Sequence, residues 1–300
     1  VTIFWFRRDL RLDDNVGLHH ALAMGFPVLP IFIFDPQLLS RLSDKVDRRV
    51  DYIHQALTGM NEELKEQNTT LHTFYNDPAT VLKDLSEQYE VHAVVCNRDY
   101  EPEAIKRDTA IYSYFKQLNI PFKAFKDQVI FDKGDILKNE GKPYTIYTPY
   151  RKKWIDKLCP ADYQSYPINR SGFYSCPFVE ILPLQAIGFH KTSCLFDKPQ
   201  LDITIIEAYD KYRDFPALQK TTQLGTALRF GTISIRQCVS FAVDHNSVWL
   251  SELIWREFFM QILYHFPAVV QEAFKKQYDH IQWRNNEDEF MLWCQGKTGY

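Results

Sequence analysis

Apolar positions in the first 130 residues alternate between two periods. Short runs rich in β-branched and aromatic residues occupy 2–6, 28–34, 71–75, 91–96 and, more weakly, 121–130. Each is apolar nearly throughout, the pattern of a strand covered on both faces. Between them the spacing is helical. One such segment follows Asp14, a residue type suited to an N-cap, and stops at Gly25. Others span 47–67 and 78–88, and a fourth opens at Glu101-Pro102 with Ile105, Ile111, Tyr112, Phe115 and Leu118 along one side. This alternation predicts an α/β fold over residues 1–132, an open doubly wound parallel sheet.

Between 133 and 202 no period is sustained, and Pro160, Pro167, Pro177, Pro183 and Pro199 interrupt the chain. The segment reads as a connector that wraps over the first domain. Helical spacing returns over 203–214, 235–243, 248–266, 269–277 and 287–294, so 203–300 is expected to be an all-α domain that stops in a loop.

Composition narrows the classes. The chain has 300 residues, 45% hydrophobic and 24% charged, with 35 basic against 38 acidic side chains. These values exclude a disordered or fibrous protein. No apolar run nears the roughly 18 residues that span a bilayer. The six cysteines form no CxxC pair, so they are expected to be reduced thiols in a cytoplasmic protein rather than a disulfide or zinc framework. The chain opens on Val1 with no basic n-region, so no cleavable leader is expected in it. Neither GxxxxGK[ST] nor GxGxxG occurs, since Gly141-Lys142 runs into Pro143 and the first strand ends in Arg7-Arg8-Asp9. His19-His20, His72 and His92 lack ligand spacing, and no GxSxG or HExxH is present, which removes the metalloenzyme and hydrolase readings.

Three stretches exceed what packing needs. Trp5-Phe-Arg-Arg-Asp-Leu-Arg-Leu-Asp-Asp-Asn15 places three arginines after a buried strand, where pairing with Asp9, Asp13 and Asp14 is the plain account. Residues 211–240 carry Lys211, Arg213, Lys220, Arg229 and Arg236 against the single acid Asp214. With Thr221, Thr222, Gly225 and a Ser234-x-x-Gln237 capping box, this segment suits either a phosphate or diphosphate group or an ordinary charged turn. In the helix over 248–266, Glu252, Trp255, Arg256 and Phe259 stand at i, i+3, i+4 and i+7 on one face. A carboxylate and a guanidinium among buried aromatics must either pair with each other or face a cavity.

Together these stretches resemble the DNA photolyase/cryptochrome family. The opening motif through Asn15, Tyr209-x-x-x-Arg-Asp-Phe-Pro216, Glu252-Leu-Ile-Trp-Arg-Glu-Phe258 and Gly296-Lys-Thr-Gly-Tyr300 carry the resemblance, in the family's order. It implies an α/β antenna domain followed by a helical FAD domain. Tyr209, Thr221, Thr222, Gln223, Leu224, Gly225 and Trp249 match FAD-contacting positions, with Thr-Thr-Gln-Leu-Gly standing where many relatives have Thr-Ser-Arg-Leu-Ser. Glu252, Trp255 and Arg256 match the floor of the lesion pocket, with Phe259 on the same DNA-facing side. Arg213 matches a position near the DNA backbone, and Trp283 matches the outermost tryptophan of the flavin-reducing relay.

The implied activity is light-driven splitting of cyclobutane pyrimidine dimers in DNA by electron transfer from reduced FAD. The lesion would be flipped from the duplex, and a monomeric protein would bind it. A cryptochrome-type photoreceptor without repair activity and a non-catalytic α/β binding module are the alternatives. Glu103-Ala104 replace the Asn-Glu pair of folate-binding relatives, which argues against a folate antenna and leaves a deazaflavin, a flavin or no second chromophore. The family continues past residue 300 with further helices. The chain is therefore expected to be part of a longer protein, to hold FAD weakly by itself and to be inactive alone.

Overall fold

The computed structural model describes residues 1–299; Tyr300, the last residue of the Gly296–Tyr300 motif, lies outside them. Five parallel strands form the sheet: β1 (Thr2–Phe6), β2 (Val28–Phe34), β3 (His72–Tyr75), β4 (Ala93–Asn97) and β5 (Phe122–Phe125). Their order is β3-β2-β1-β4-β5, and both neighbours of β1 are in register from Thr2, opposite Val28 and Ala93. Every residue of β1, β2 and β4 is buried, whereas β3 and β5 are partly exposed edges. Five helices connect the strands: α1 (Val16–Leu22), α2 (Pro36–Leu39), α3 (Arg48–Lys65), α4 (Pro78–Gln88) and α5 (Pro102–Gln117). The strand order reverses between β1 and β4, which is the place where doubly wound sheets gather ligands at the carboxyl ends of the strands.

After the sheet come α6 (Tyr147–Lys157), α7 (Ile203–Glu207), α8 (Tyr209–Tyr212), α9 (Gly225–Phe230), α10 (Ile235–His245), α11 (Ser247–His265) and α12 (Glu287–Cys294). None of the described helices is long and apolar enough to cross a membrane.

Several local expectations are corrected. The cap of α1 is Asn15, whose side chain accepts from Leu18 N at 3.0 Å; Asp14 sits before it at φ 46°. The stretch 133–202 contains α6, which has only Tyr150 and Trp154 as buried positions among Arg151, Lys152 and Lys153. Its first part packs into the helical core through Ile136, Tyr150 and Trp154, next to Ile130 and Phe131 from just before it. Its later part covers the sheet domain, with Phe173, Ile181, Leu184, Ile187 and Phe189 in that core and Tyr174 N donating to Val28 O. The helix expected over 203–214 breaks at Ala208 into α7 and α8. Over 269–277 there is no α-helix, only 3-10 turns at Pro267–Val270 and Lys276–His280. The capping box does not form: Ser234 Oγ caps α10 by accepting from Arg236 N at 3.1 Å, and Gln237 is exposed. Beyond Gln261 no described residue is buried.

A buried charge network fastens the helices to the sheet. Asp127 accepts from Arg11 at 2.7 Å and Arg236 at 2.8 Å, and Arg236 also reaches Asp14 at 2.9 Å. Nor do the other opening arginines use the acids beside them: Arg7 pairs with Asp108, and Arg8 with Glu101 and Asp99. Desolvation of these ions is offset by the pairing: Asp127 accepts from both Arg11 and Arg236, while one oxygen of Asp14 stays without a partner.

Candidate active site

The site is built on α11. Asn246 caps it by accepting from Val248 N and Trp249 N, and Pro267 follows its end. At about 100° per residue its side chains sort into three stripes. Trp249, Glu252, Leu253, Arg256, Met260 and Leu263 line a cavity of about 510 Å³. Glu257, Gln261 and His265 grip the backbone of the segment after β5. Ser251, Trp255 and Phe258 meet α6.

The cavity lies between the helices and the sheet. Tyr209, Thr222, Leu224, Gly225 and Leu228 close it on the helical side, and Arg8, Asp99, Tyr100 and Glu101 come from the carboxyl ends of β1 and β4. Glu101 is held by Arg8 at 2.7 Å and Arg229 at 2.9 Å, and the Arg8 hydrogen bond foremost, then the other cationic contacts, draw it down to about 2. Glu252 pairs with Arg213, not with Arg256. Arg256 instead donates to Gln128 O at 2.6 Å and Leu228 O at 3.1 Å. Burial lowers its pKa, and among the described residues no carboxylate forms a salt bridge with it.

The cavity lining separates the expected residues. Tyr209, Thr222, Leu224, Gly225, Trp249, Glu252 and Arg256 line the cavity together. Thr221 and Gln223 are exposed beside it, Gln223 at φ 52°, and Arg213 reaches it only through Glu252. Trp255 and Phe259 are not in the lining. Trp255 is half-buried and stacks on Tyr147 with ring centroids 3.5 Å apart and planes 9° apart; Phe259 is 60% exposed. Trp283, 71% exposed, lies in the segment before α12, away from the cavity lining.

Glu257 went unread in the sequence although it stands inside the Glu252–Phe258 motif. Its carboxyl accepts from Ile130 N at 2.6 Å, Phe131 N at 3.3 Å, Trp154 Nε1 at 2.7 Å and Tyr150 OH at 3.2 Å. A turn later Gln261 donates to Phe131 O, and His265 follows on Lys133 O. Arg8, Asp99, Tyr100 and Glu101 were likewise unassigned; the signal was their place after β1 and β4 in a doubly wound sheet.

Burial pushes Glu257 up to about 7, although its four donors pull the other way. The folded chain therefore binds a proton that the unfolded chain, with a carboxyl near 4.5, has released. This contribution is complete below pH about 4.5 and is lost as pH rises to about 7, a fall of roughly 3 kcal/mol. Urea midpoints at pH 5 and 8 check it: the difference is expected to shrink in Glu257→Gln, and an unchanged difference would refute the assignment.

Comparison with known proteins identifies the family. A family model for DNA photolyase matches residues 2–167, and one for the FAD binding domain of DNA photolyase matches 249–300. Over 327 residues the chain is 30% identical to the deoxyribodipyrimidine photo-lyase of Synechococcus sp., covering 99% of this chain and 67% of that protein. The chain belongs to the photolyase/cryptochrome family. It is also 28% identical to the deoxyribodipyrimidine photo-lyase of Vibrio cholerae, covering 69% of that protein. Among solved structures, a bacterial class III photolyase from Agrobacterium tumefaciens superposes with a TM-score of 0.83 at 24% identity, over all of this chain and 66% of that one. An archaeal photolyase from Sulfolobus tokodaii, described with two FAD molecules, gives 0.78 at 25% identity over 68% of its chain. The chain thus spans about two thirds of the length of these photolyases.

The cavity of this photolyase-family chain fits a flavin dinucleotide. Its volume lies within the ~300–1,000 Å³ of ligand-burying sites. Trp249, Leu224, Leu228, Leu253 and Met260 offer an apolar wall for a flat ring, and the hydroxyls of Thr222 and Tyr209 are hydrogen-bonding groups. Arg8 and Arg229 are already committed to Glu101. Arg256 is the enclosed cation still without an anion, which suits an anionic cofactor or substrate.

Proposed function

We propose that the protein is a light-dependent DNA repair flavoprotein that splits cyclobutane pyrimidine dimers. The observation that carries the reading is that Glu252 and Arg256 open into one cavity on a helix that also presents Trp255 at its flank. The chemistry a bound, reduced FAD supplies is a photo-excited electron, and the protein's part is binding and positioning. Tyr209, Thr222, Leu224, Gly225 and Trp249 hold the cofactor, with Thr221 and Gln223 at its rim. Glu252, anchored by Arg213, offers a fixed hydrogen-bonding carboxyl at the lesion. Trp255 supplies an aromatic face for a flipped base, with Phe259 beside it. Arg256 provides positive charge without a competing counter-ion, and of the basic side chains of 211–240 the exposed Lys211 and Lys220 meet phosphates without reading sequence, Arg236 being buried against Asp14 and Asp127. Trp283, being exposed, is suited to the outer end of an electron relay. For a second chromophore the relative described with two FAD molecules favours a flavin over a folate.

Dimer-containing DNA incubated with the FAD-loaded complete protein, of which this chain is expected to be part, is expected to be restored only under blue or near-UV light. Glu252→Ala is expected to lower its preference for dimer over intact DNA by about 10- to 100-fold, the loss of one charge-assisted hydrogen bond. Equal restoration in the dark, or none in the light, refutes the reading. Flavin photoreduction without lesion affinity selects the photoreceptor alternative, and refusal of FAD selects the non-catalytic one.

A further inference from the structure

We propose that Tyr147 is a positioning residue of the lesion site, backing the indole of Trp255 so that its remaining face is presented to a flipped pyrimidine; this rests on the repair reading above. Tyr147 opens α6, and its ring lies parallel to Trp255 with centroids 3.5 Å apart, at van der Waals contact. Phe259, in contrast, stands 5.4 Å from Trp255 and is largely exposed. Tyr147 therefore covers one indole face closely, while the near-parallel Phe259 ring, 22° off, lies too far away for close stacking.

The tyrosine is itself held from two directions. Its hydroxyl donates to Ser251 O at 2.8 Å, and its ring meets the edge of Phe258. One turn along α6, Arg151 Nε donates to Ser251 Oγ at 2.8 Å. Deeper in the same helix Tyr150 and Trp154 are fixed by Glu257. The stack is thus mounted on a clamped helix pair. Without the backing ring a half-buried indole gains rotamer freedom, and each base that stacks on it must first order it again. The connector segment would in this way control the geometry of a site whose named residues all lie on α11.

The test compares the FAD-loaded complete protein with its Tyr147→Leu and Tyr147→Phe variants, measuring affinity for the same oligonucleotide with and without a cis-syn thymine dimer. Tyr147→Leu is expected to lower dimer affinity by roughly three- to tenfold with intact-DNA affinity unchanged. Tyr147→Phe, which keeps the ring, should retain the parent's dimer preference. Equal dimer affinity for Tyr147→Leu and the parent, equal loss for both DNAs, or a Phe variant as weak as the Leu variant overturns the proposal while the repair reading stands. A parent that does not prefer the dimer overturns the repair reading and the proposal with it. Thermal midpoints show whether the fold is kept. If the Leu variant does not fold, Tyr147→Met, which also lacks the ring, serves instead, and undiminished dimer affinity there overturns the proposal.

Discussion

Replacing Glu257 by Ala is expected to destabilise the protein by about 3–5 kcal/mol, the cost of breaking a buried polar cluster by removing one partner. Ala takes away the common acceptor of Ile130 N, Phe131 N, Trp154 Nε1 and Tyr150 OH, and none of these has water to turn to at that depth. The loss is larger than that of one hydrogen bond because the carboxyl joins three pieces of chain: the segment after β5, α6 and α11. Gln261 and His265 hold the same segment, so it should not detach completely. Glu257→Gln keeps the shape and one acceptor oxygen and should cost less than Ala. Urea unfolding of the three proteins at pH 7 measures this order. An Ala variant within about 1 kcal/mol of the parent would show that these donors find other partners.

Gly231→Ala is expected to cost about 2–5 kcal/mol or to prevent folding altogether. Gly231 has φ 68°, a left-handed conformation that a side chain disfavours, and a Cβ there would lie 2.2 Å from Arg8 O and 2.6 Å from Asp9 Cα. Neither obstacle is a flexible side chain, so the loop after β1 and the end of α9 must separate. That separation strikes the contact between sheet and helices, where Leu10 N donates to Phe230 O at 3.0 Å and Arg11 to Gly231 O at 3.0 Å. The matched control is Gly59→Ala in the middle of α3, where a Cβ meets nothing within 4 Å. It should stabilise by about 0.5–1 kcal/mol through helix propensity. A Gly231→Ala protein that melts with the parent would contradict the close packing described here.

Much of the fold was legible because local periodicity suffices for it. The bounds of α4 and α12 match the expected 78–88 and 287–294, and all five strands lie within or next to the expected runs. The failures have physical causes. α6 was missed because two buried positions, Tyr150 and Trp154, make too narrow a stripe for a periodicity reading, and the partner that buries them is Glu257, more than a hundred residues away. The helix over 269–277 was expected from apolar residues, but Val270 and Phe274 are exposed, and the edge-to-face contact of Phe274 with Phe266 at the end of α11 buries too little to hold a helix. In the site, the shared face of Glu252 and Arg256 was readable from their i, i+4 spacing, and their pairing was not. Arg256 turns to Leu228 O because a carbonyl in the last turn of α9 has no partner within its own helix.

From its amino acids alone this chain declared a parallel sheet, a long helix with a carboxylate and a guanidinium on one side, and the motifs of a flavin-dependent DNA repair family. Each of these lives in a window of a few turns or a single strand, where side-chain period and residue type decide the outcome. Tertiary structure alone decided that Glu252 meets Arg213, that Asp127 joins Arg11 to Arg236, and that Glu257 and Tyr147 brace α11. Those partners come from distant stretches of the chain. Charge and hydrogen-bonding capacity show which groups need a partner, and only packing brings one within the roughly 3 Å at which the bond forms.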